Sequence, residues 1–308
     1  MNKYILTTAL TVASASAFAQ SNDAYSYDYG YEFQPSYGAE YNSNVYQQDY
    51  YTNQPTQQSS SYVAAKPAEP QAGNQERAWS AHLTLGASSS PEYMGAKDNE
   101  MQALILPTFQ YKLDPWQRLF ISVDEGAGYG YKLTNNLEIG GGLTYRKGRD
   151  SSDAFILSGL KDVDDTLAYT AFAKYKLDKN YRFGIQLTKG MDSSNDGMST
   201  ELFAGYSRML TDKTGIELFA NTKYGDDTFM EQNFGVKSGD ATAFRSAYNA
   251  DAGFYKANLR ASINHSLGGP HSITAFTNYS MLLGDAKDSS VVEDDKGITV
   301  GGGYTYRF

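Results

Sequence analysis

The sequence predicts an all-β protein: a transmembrane antiparallel up-and-down β-barrel of about 12 strands, preceded by a disordered N-terminal tail. Three observations carry this expectation. From Trp79 onward apolar and polar residues alternate with a period of two, as strands do when one face meets lipid and the other a lumen. Short turn-like connections alternate with longer ones along the same stretch. No segment approaches the roughly 20 apolar residues a membrane helix requires, yet 14% of the residues are aromatic.

The N-terminus reads as an export signal over residues 1–19. Met1-Asn2-Lys3 gives a positive start, Tyr4 to Ser16 is mostly apolar and small, and Ala17-Phe18-Ala19 forms an A-x-A cleavage site. Residues 20–77 are rich in Tyr, Gln, Asn and Ser, with Tyr25, Tyr27, Tyr29 and Tyr31 spaced by two, and they end in the linker Lys66-Pro67-Ala68-Glu69-Pro70. So few aliphatic residues bury too little surface to offset the entropy of ordering, so this segment is expected to be a disordered periplasmic tail. As a flexible coil it reaches roughly 40 Å. The barrel takes residues 78–308.

Within the barrel, alternating segments fall near 79–88, 101–113, 118–124, 127–133, 137–147 and 164–177, then 181–190, 198–210, 214–225, 250–266, 271–283 and 296–308. Their even number places both termini on the periplasmic side. Asp114-Pro115-Trp116-Gln117, Thr134-Asn135-Asn136, Asp178-Lys179-Asn180, Thr211-Asp212-Lys213 and Leu267-Gly268-Gly269-Pro270 are the short inner turns. Residues 89–100, 148–163, 191–197, 226–249 and 284–295 are the outer loops. One outer link, around Asp124-Glu125-Gly126, is short.

The two faces of these strands carry different chemistry. Tyr111, Tyr131, Tyr145, Tyr175, Tyr181, Tyr224 and Tyr304 gather near strand ends on the apolar face, where a ring sits in lipid and its hydroxyl in water. Glu138, Arg146, Lys174, Arg182, Glu217, Lys223, Lys256 and Arg260 fall on the inner face, together with Phe120, Phe172, Phe219, Phe254 and Phe276. Such residues either pair across a filled lumen or line a narrow pore; a lumen of this strand number is one that side chains can largely fill.

Catalytic signals are weak. The three histidines, His82, His265 and His271, accompany no nucleophile elbow, and two of them fall at the inner rim, so no enzyme activity is expected. The acidic runs Asp162-Val163-Asp164-Asp165, Asp226-Asp227 and Glu293-Asp294-Asp295 lack the pattern of a calcium loop and read as solvated loop charge. With no cysteine there is no thiolate site, and neither a cofactor nor a metal is expected. A net charge of -9 without a basic cluster argues against nucleic acid. Outer-membrane lipid and lipopolysaccharide are the expected surroundings, in the outer membrane of a Gram-negative bacterium.

Specific residues resemble the MipA/OmpV family of outer-membrane barrels over about residues 79–308. Ser90-Pro91-Glu92-Tyr93-Met94-Gly95 is similar to the family's opening motif. Leu106-Pro107, Lys147-Gly148-Arg149 and Leu157-Ser158-Gly159-Leu160 match as well. Phe234-Gly235-Val236 follows Asn233, which stands where the family has tyrosine. Leu283-Gly284-Asp285-Ala286 leads into Asp288-Ser289-Ser290, with Ser290 in place of proline. The resemblance implies a non-catalytic barrel that acts as a scaffold for a peptidoglycan synthase and a lytic transglycosylase. A narrow channel and an adhesin acting through its outer loops are the alternatives. The ending Gly303-Tyr304-Thr305-Tyr306-Arg307-Phe308 resembles the signal read by the barrel-assembly machinery, with Tyr304, Tyr306 and Phe308 as its aromatic positions.

Overall fold

The computed structural model describes residues 78–308; the expected signal peptide and tail lie outside the described residues. Twelve antiparallel strands close on themselves. They are β1 (Trp79–Pro91), β2 (Asn99–Asp114), β3 (Gln117–Ser122), β4 (Gly126–Lys132), β5 (Leu137–Arg146) and β6 (Thr166–Lys176). The circuit continues with β7 (Tyr181–Gly190), β8 (Met198–Met209), β9 (Thr214–Gly225), β10 (Gly253–Gly268), β11 (His271–Leu282) and β12 (Lys296–Arg307). Each strand pairs with its neighbour in sequence, and β12 returns to β1 with His82 opposite Arg307. Closure satisfies both edges of the sheet, which lipid demands.

The short turns form by local side-chain chemistry. Asp114 Oδ1 accepts the Trp116 N–H at 2.7 Å, and Asp178 Oδ1 accepts those of Asn180 and Tyr181 at 2.7 and 2.9 Å. The Thr134 and Thr211 hydroxyls do the same for Leu137 and Thr214, each at 3.0 Å. These caps replace the backbone bonds a tight turn leaves open. They lie at the end where β1 begins and β12 stops, the periplasmic end by the usual asymmetry of outer-membrane barrels.

Outside, Leu, Ile and Val side chains are exposed along the wall, among them Leu85, Ile105, Leu259 and Val300. Inside, two layers fill the lower lumen. The inner one is ionic: Arg118 reaches Glu125 at 3.0 Å and Glu138 at 2.7 Å, Lys174 pairs with Glu125, and Arg182 pairs with Glu217. Above it lie phenylalanines. Phe120 meets Phe172 with centroids 5.8 Å apart, and Phe203 stacks on Phe219 at 5.6 Å. Cations face the rings: Lys174 over Phe172 at 4.1 Å, and Arg260 over Phe276 at 4.6 Å. The rings need room, and glycine supplies it. A Cβ on Gly140 would stand 2.3 Å from Phe172 Cζ.

Phe254 departs from the expected inward set. The β9–β10 register shifts between Phe254 and Lys256, so Tyr255 and Lys256 both turn inward and Phe254 is pushed to the outer face, 48% exposed. There it packs edge-on against Tyr224 at 5.5 Å. A bulge of this kind reverses the inward–outward phase.

One stretch of wall is cut low. β3 and β4 have 6 and 7 residues, where the other strands have 10 to 16. β2 pairs with β3 only from Thr108 to Asp114, and β5 pairs with β4 only from Glu138 to Leu143. Above the 123–125 turn, Asn99–Pro107 of β2 and Thr144–Arg146 of β5 therefore face, among the described residues, a notch two strands wide. Glu125 of that turn folds inward, 2% exposed, onto Arg118 and Lys174. The short outer link thus contributes its acid to the lumen network.

Candidate functional site: the outer mouth

The outer loops fold into a plug. Its first piece is α1 (Asp227–Phe234), begun by Asp226, whose carboxylate accepts the Phe229 N–H at 2.8 Å and the Met198 N–H at 3.0 Å. Asp226 is thus a helix cap and a loop anchor, which corrects its reading as a solvated charge. Asp165, from another of the acidic runs, likewise accepts the Gly148 N–H at 2.7 Å.

α1 turns Phe229, Met230 and Phe234 onto Ala250, Tyr255, Leu282 and Ala286, the last on the short helix α2 (Gly284–Lys287). A second cluster joins Leu157, Leu160, Val236 and Val291, and Tyr248 and Val292 touch both. Polar ties fix the assembly. The buried Arg245 donates to the carbonyl oxygens of Ser158 at 3.2 Å and Asp240 at 2.7 Å, and Tyr248 Oη donates to the Asp285 carbonyl at 2.9 Å. Val236 and Tyr248 exchange backbone bonds of 2.7 and 2.9 Å.

Most of the family-motif residues meet here. Ser90 is buried at the top of β1 and Pro91 ends that strand. The Tyr93 hydroxyl donates to Glu293 at 3.0 Å, and burial, reinforced by this carboxylate, pushes the phenol well above its ordinary pKa. Gly95 has φ +96°, its carbonyl accepts the N–H groups of Glu293 and Asp294, and a Cβ there would meet Val292 at 2.8 Å. Gly148 lies so close to Val163 that no side chain fits. Arg149 Nη1 donates to the Asn233 carbonyl at 2.9 Å, and burial lowers its pKa. Phe234, Gly235 and Val236 form the end of α1 and the strand-like bridge after it, and Gly284 starts α2 with φ +51°. The plug brings together motifs that are far apart in sequence.

Pro107 lies elsewhere. It sits on β2 where the free edge of the notch begins, and proline in a sheet belongs at an edge, since it has no N–H to leave unpaired. The terminal aromatics occupy the inner rim: Tyr304, Tyr306 and Phe308 are 39%, 37% and 57% exposed, with Tyr306 and Phe308 edge to face at 5.0 Å.

Beneath the plug is a cavity of about 200 Å³. Tyr93, Arg149, Phe229 and Asn233 come to it from the plug; Arg146, Glu201, Lys223 and Lys256 come from the wall. Arg146 donates to the carbonyl oxygens of Gly197 at 2.6 Å and Thr188 at 2.9 Å, and Lys223 stands 3.8 Å from Glu201. The histidines are not near it: His265 meets the Thr214 hydroxyl at 2.9 Å and His271 meets Tyr304, both at the inner rim. Among the described residues no group of three His, Asp or Glu is placed to hold a metal.

Sequence alone gave no sign of Tyr255, Arg245 or Tyr248 in this site. The Asp226 cap and the apolar Phe229, Met230 and Phe234 were the readable trace of α1.

No curated protein matches the chain. Among solved structures, an outer-membrane channel from Pseudomonas putida F1 is similar at 16% identity and TM-score 0.38, over 75% of this chain and 95% of that one. A bacterial polysaccharide outer membrane secretin gives 9% identity and TM-score 0.38, over 74% and 97%. The outer membrane channel DcaP of Acinetobacter baumannii gives 7% and 0.35, over 75% and 96%. The family model described as MltA-interacting protein MipA matches residues 83–308, from within β1 to the C-terminus. The chain therefore belongs to the MipA family, and its closed, lipid-faced wall is that of an outer-membrane barrel.

Proposed function

We propose that this outer-membrane barrel is a non-catalytic scaffold that holds a peptidoglycan synthase and a lytic transglycosylase at the membrane. The observation that carries the reading is the family match, whose description names an interaction with MltA. The lumen contacts support it: ion pairs, paired phenylalanines and the loop plug place side chains where a passage would run. The inner turns and the Tyr-rich segment 20–77 are the natural contact regions, because tyrosine gives large contact area at small entropic cost.

Photo-crosslinking residues at Asn135 in an inner turn and at Tyr46 test this in intact cells. Adducts containing a transglycosylase or a peptidoglycan synthase support the scaffold. Adducts limited to assembly factors overturn it. One observation favours adhesion as a second reading: Phe155 and Phe244 stand 77% and 71% exposed on outer loops, their rings 5.6 Å apart. Replacing both with Ala would then lower adherence and leave the crosslinks unchanged.

A further inference from the structure

The cavity under the plug carries a charge pattern unlike the rest of the chain. Arg146, Lys147, Arg149, Lys223 and Lys256 line it against three carboxylates, in a protein whose formal charge is -9. Glu201 is engaged with Lys223 and donated to by Asn221 at 3.0 Å. Arg149 is the least committed of the cations. Only its Nη1 is spent, on the Asn233 carbonyl, and no carboxylate lies within ion-pair distance among the described residues. Its other N–H groups are left to the cavity, in a planar fork that matches an oxyanion.

The same cavity adjoins the notch. Val123 and Asp124, the turn at which β3 and β4 stop, are among its lining residues, as are Thr144 and Tyr145 at the free end of β5. From Met101 to Pro107 the outward residues of β2 along the notch are apolar, with Met101 73% and Ile105 41% exposed, so this part of the edge lies at membrane depth. Among the described residues nothing pairs with Asn99–Pro107 on the notch side, and unpaired backbone at that depth is tolerated only where it is buried in protein or meets water.

We propose that this cavity is a binding site for a phosphate-class oxyanion, entered laterally through the notch between β2 and β5. Arg149 supplies the fork, Lys256 and Lys223 supply charge, and Arg146 adds field while its own donors hold the 191–197 loop. A volume of about 200 Å³ admits a phosphate group and is below the size of ordinary small-molecule pockets. Free phosphate and the headgroup of an outer-leaflet phospholipid share this chemistry.

Two titrations of the full chain, folded in a phosphate-free nonionic detergent, separate the sources. Calorimetry with inorganic phosphate, against chloride at matched ionic strength, reads the free anion. Native mass spectrometry with phosphatidic acid, against a neutral diacylglycerol, reads the headgroup. Saturable binding in either arm is expected, and R149Q and K256M should each weaken it by about tenfold, the loss of one charged contact. K179Q, which removes an exposed charge from an inner turn, should leave it unchanged. Heat-modifiable migration shows whether each variant is folded; should R149Q not fold, R149K replaces it and weakens binding by removing the fork while keeping the charge. Absence of binding in both arms overturns the proposal, as does binding that R149Q or R149K and K256M leave at the wild-type level. Neither result bears on the crosslinked partners.

Discussion

Replacing Glu125 with Gln separates a dry lumen from a wet one. Glu125 is 2% exposed and accepts from Arg118 at 3.0 and 3.1 Å, while Lys174 pairs with the same carboxylate. At 3.0 Å a pair of unit charges is worth about 5.5 kcal/mol at an effective dielectric constant of about 20, and about 1.4 kcal/mol in water. Glutamine keeps the shape and one acceptor but removes the charge, leaving Lys174 and part of Arg118 in a buried layer; Arg118 keeps its 2.7 Å contact with Glu138. Removing one partner of a buried pair costs about 3–5 kcal/mol, whereas exposed pairs are worth about 0–1 kcal/mol. With Glu138 compensating in part, the structure predicts a loss of about 3 kcal/mol. The assay is urea unfolding of the micelle-folded barrel, followed by the fluorescence of Trp79 and Trp116, the only two tryptophans. A loss below about 0.5 kcal/mol would refute the reasoning, because it would mean that water screens the network.

Three further outcomes are expected. Asp226→Ala removes the cap of α1 and its tie to Met198; it should cost the plug about 1–2 kcal/mol and speed tryptic cleavage at exposed Lys237 in intact cells, and an unchanged cleavage rate would count against the plug. Asp162 and Asp192 accept the backbone N–H groups of Ser151 and Ser194, which hold both carboxyls below their ordinary 3.8. A depressed folded pKa contributes stability that is complete above the unfolded value and lost as pH falls through the folded one, so these two loops should loosen only below about pH 3.8. NMR titration midpoints above 3.8 for either carboxyl would contradict this. Deleting Phe308, whose N–H donates to the Ala81 carbonyl at 2.9 Å and whose ring packs on Tyr306, should reduce heat-modifiable barrel in the outer membrane, and undiminished levels would show that the terminal aromatic is not read during assembly.

The wall was legible because alternation is a local signal: each strand announces its two faces within about ten residues, and Asp114, Thr134, Asp178 and Thr211 mark turns by chemistry confined to their own neighbours. The lumen was legible only in part. Phe120, Phe172, Phe219 and Phe276 follow the strand phase, but Phe254 lies beyond a bulge that alternation does not reveal. The plug was out of reach of periodicity, since Phe229 meets Tyr255 and Leu157 meets Val291 across long sequence separations. Resemblance picked out Tyr93, Gly95, Arg149 and Val236 one by one; that they converge on one mouth is a property of the fold. The notch was hidden in plain lengths, because a short outer link reads as a tight turn until the register shows how low it stands.

Closure of the lumen is the claim on which the account rests, and planar-bilayer recording of the full chain measures it directly. The ionic and phenylalanine layers below the cavity and the plug above it predict no steady unitary conductance. A reproducible open channel would contradict the account and move the function from the barrel's surfaces to transport through it.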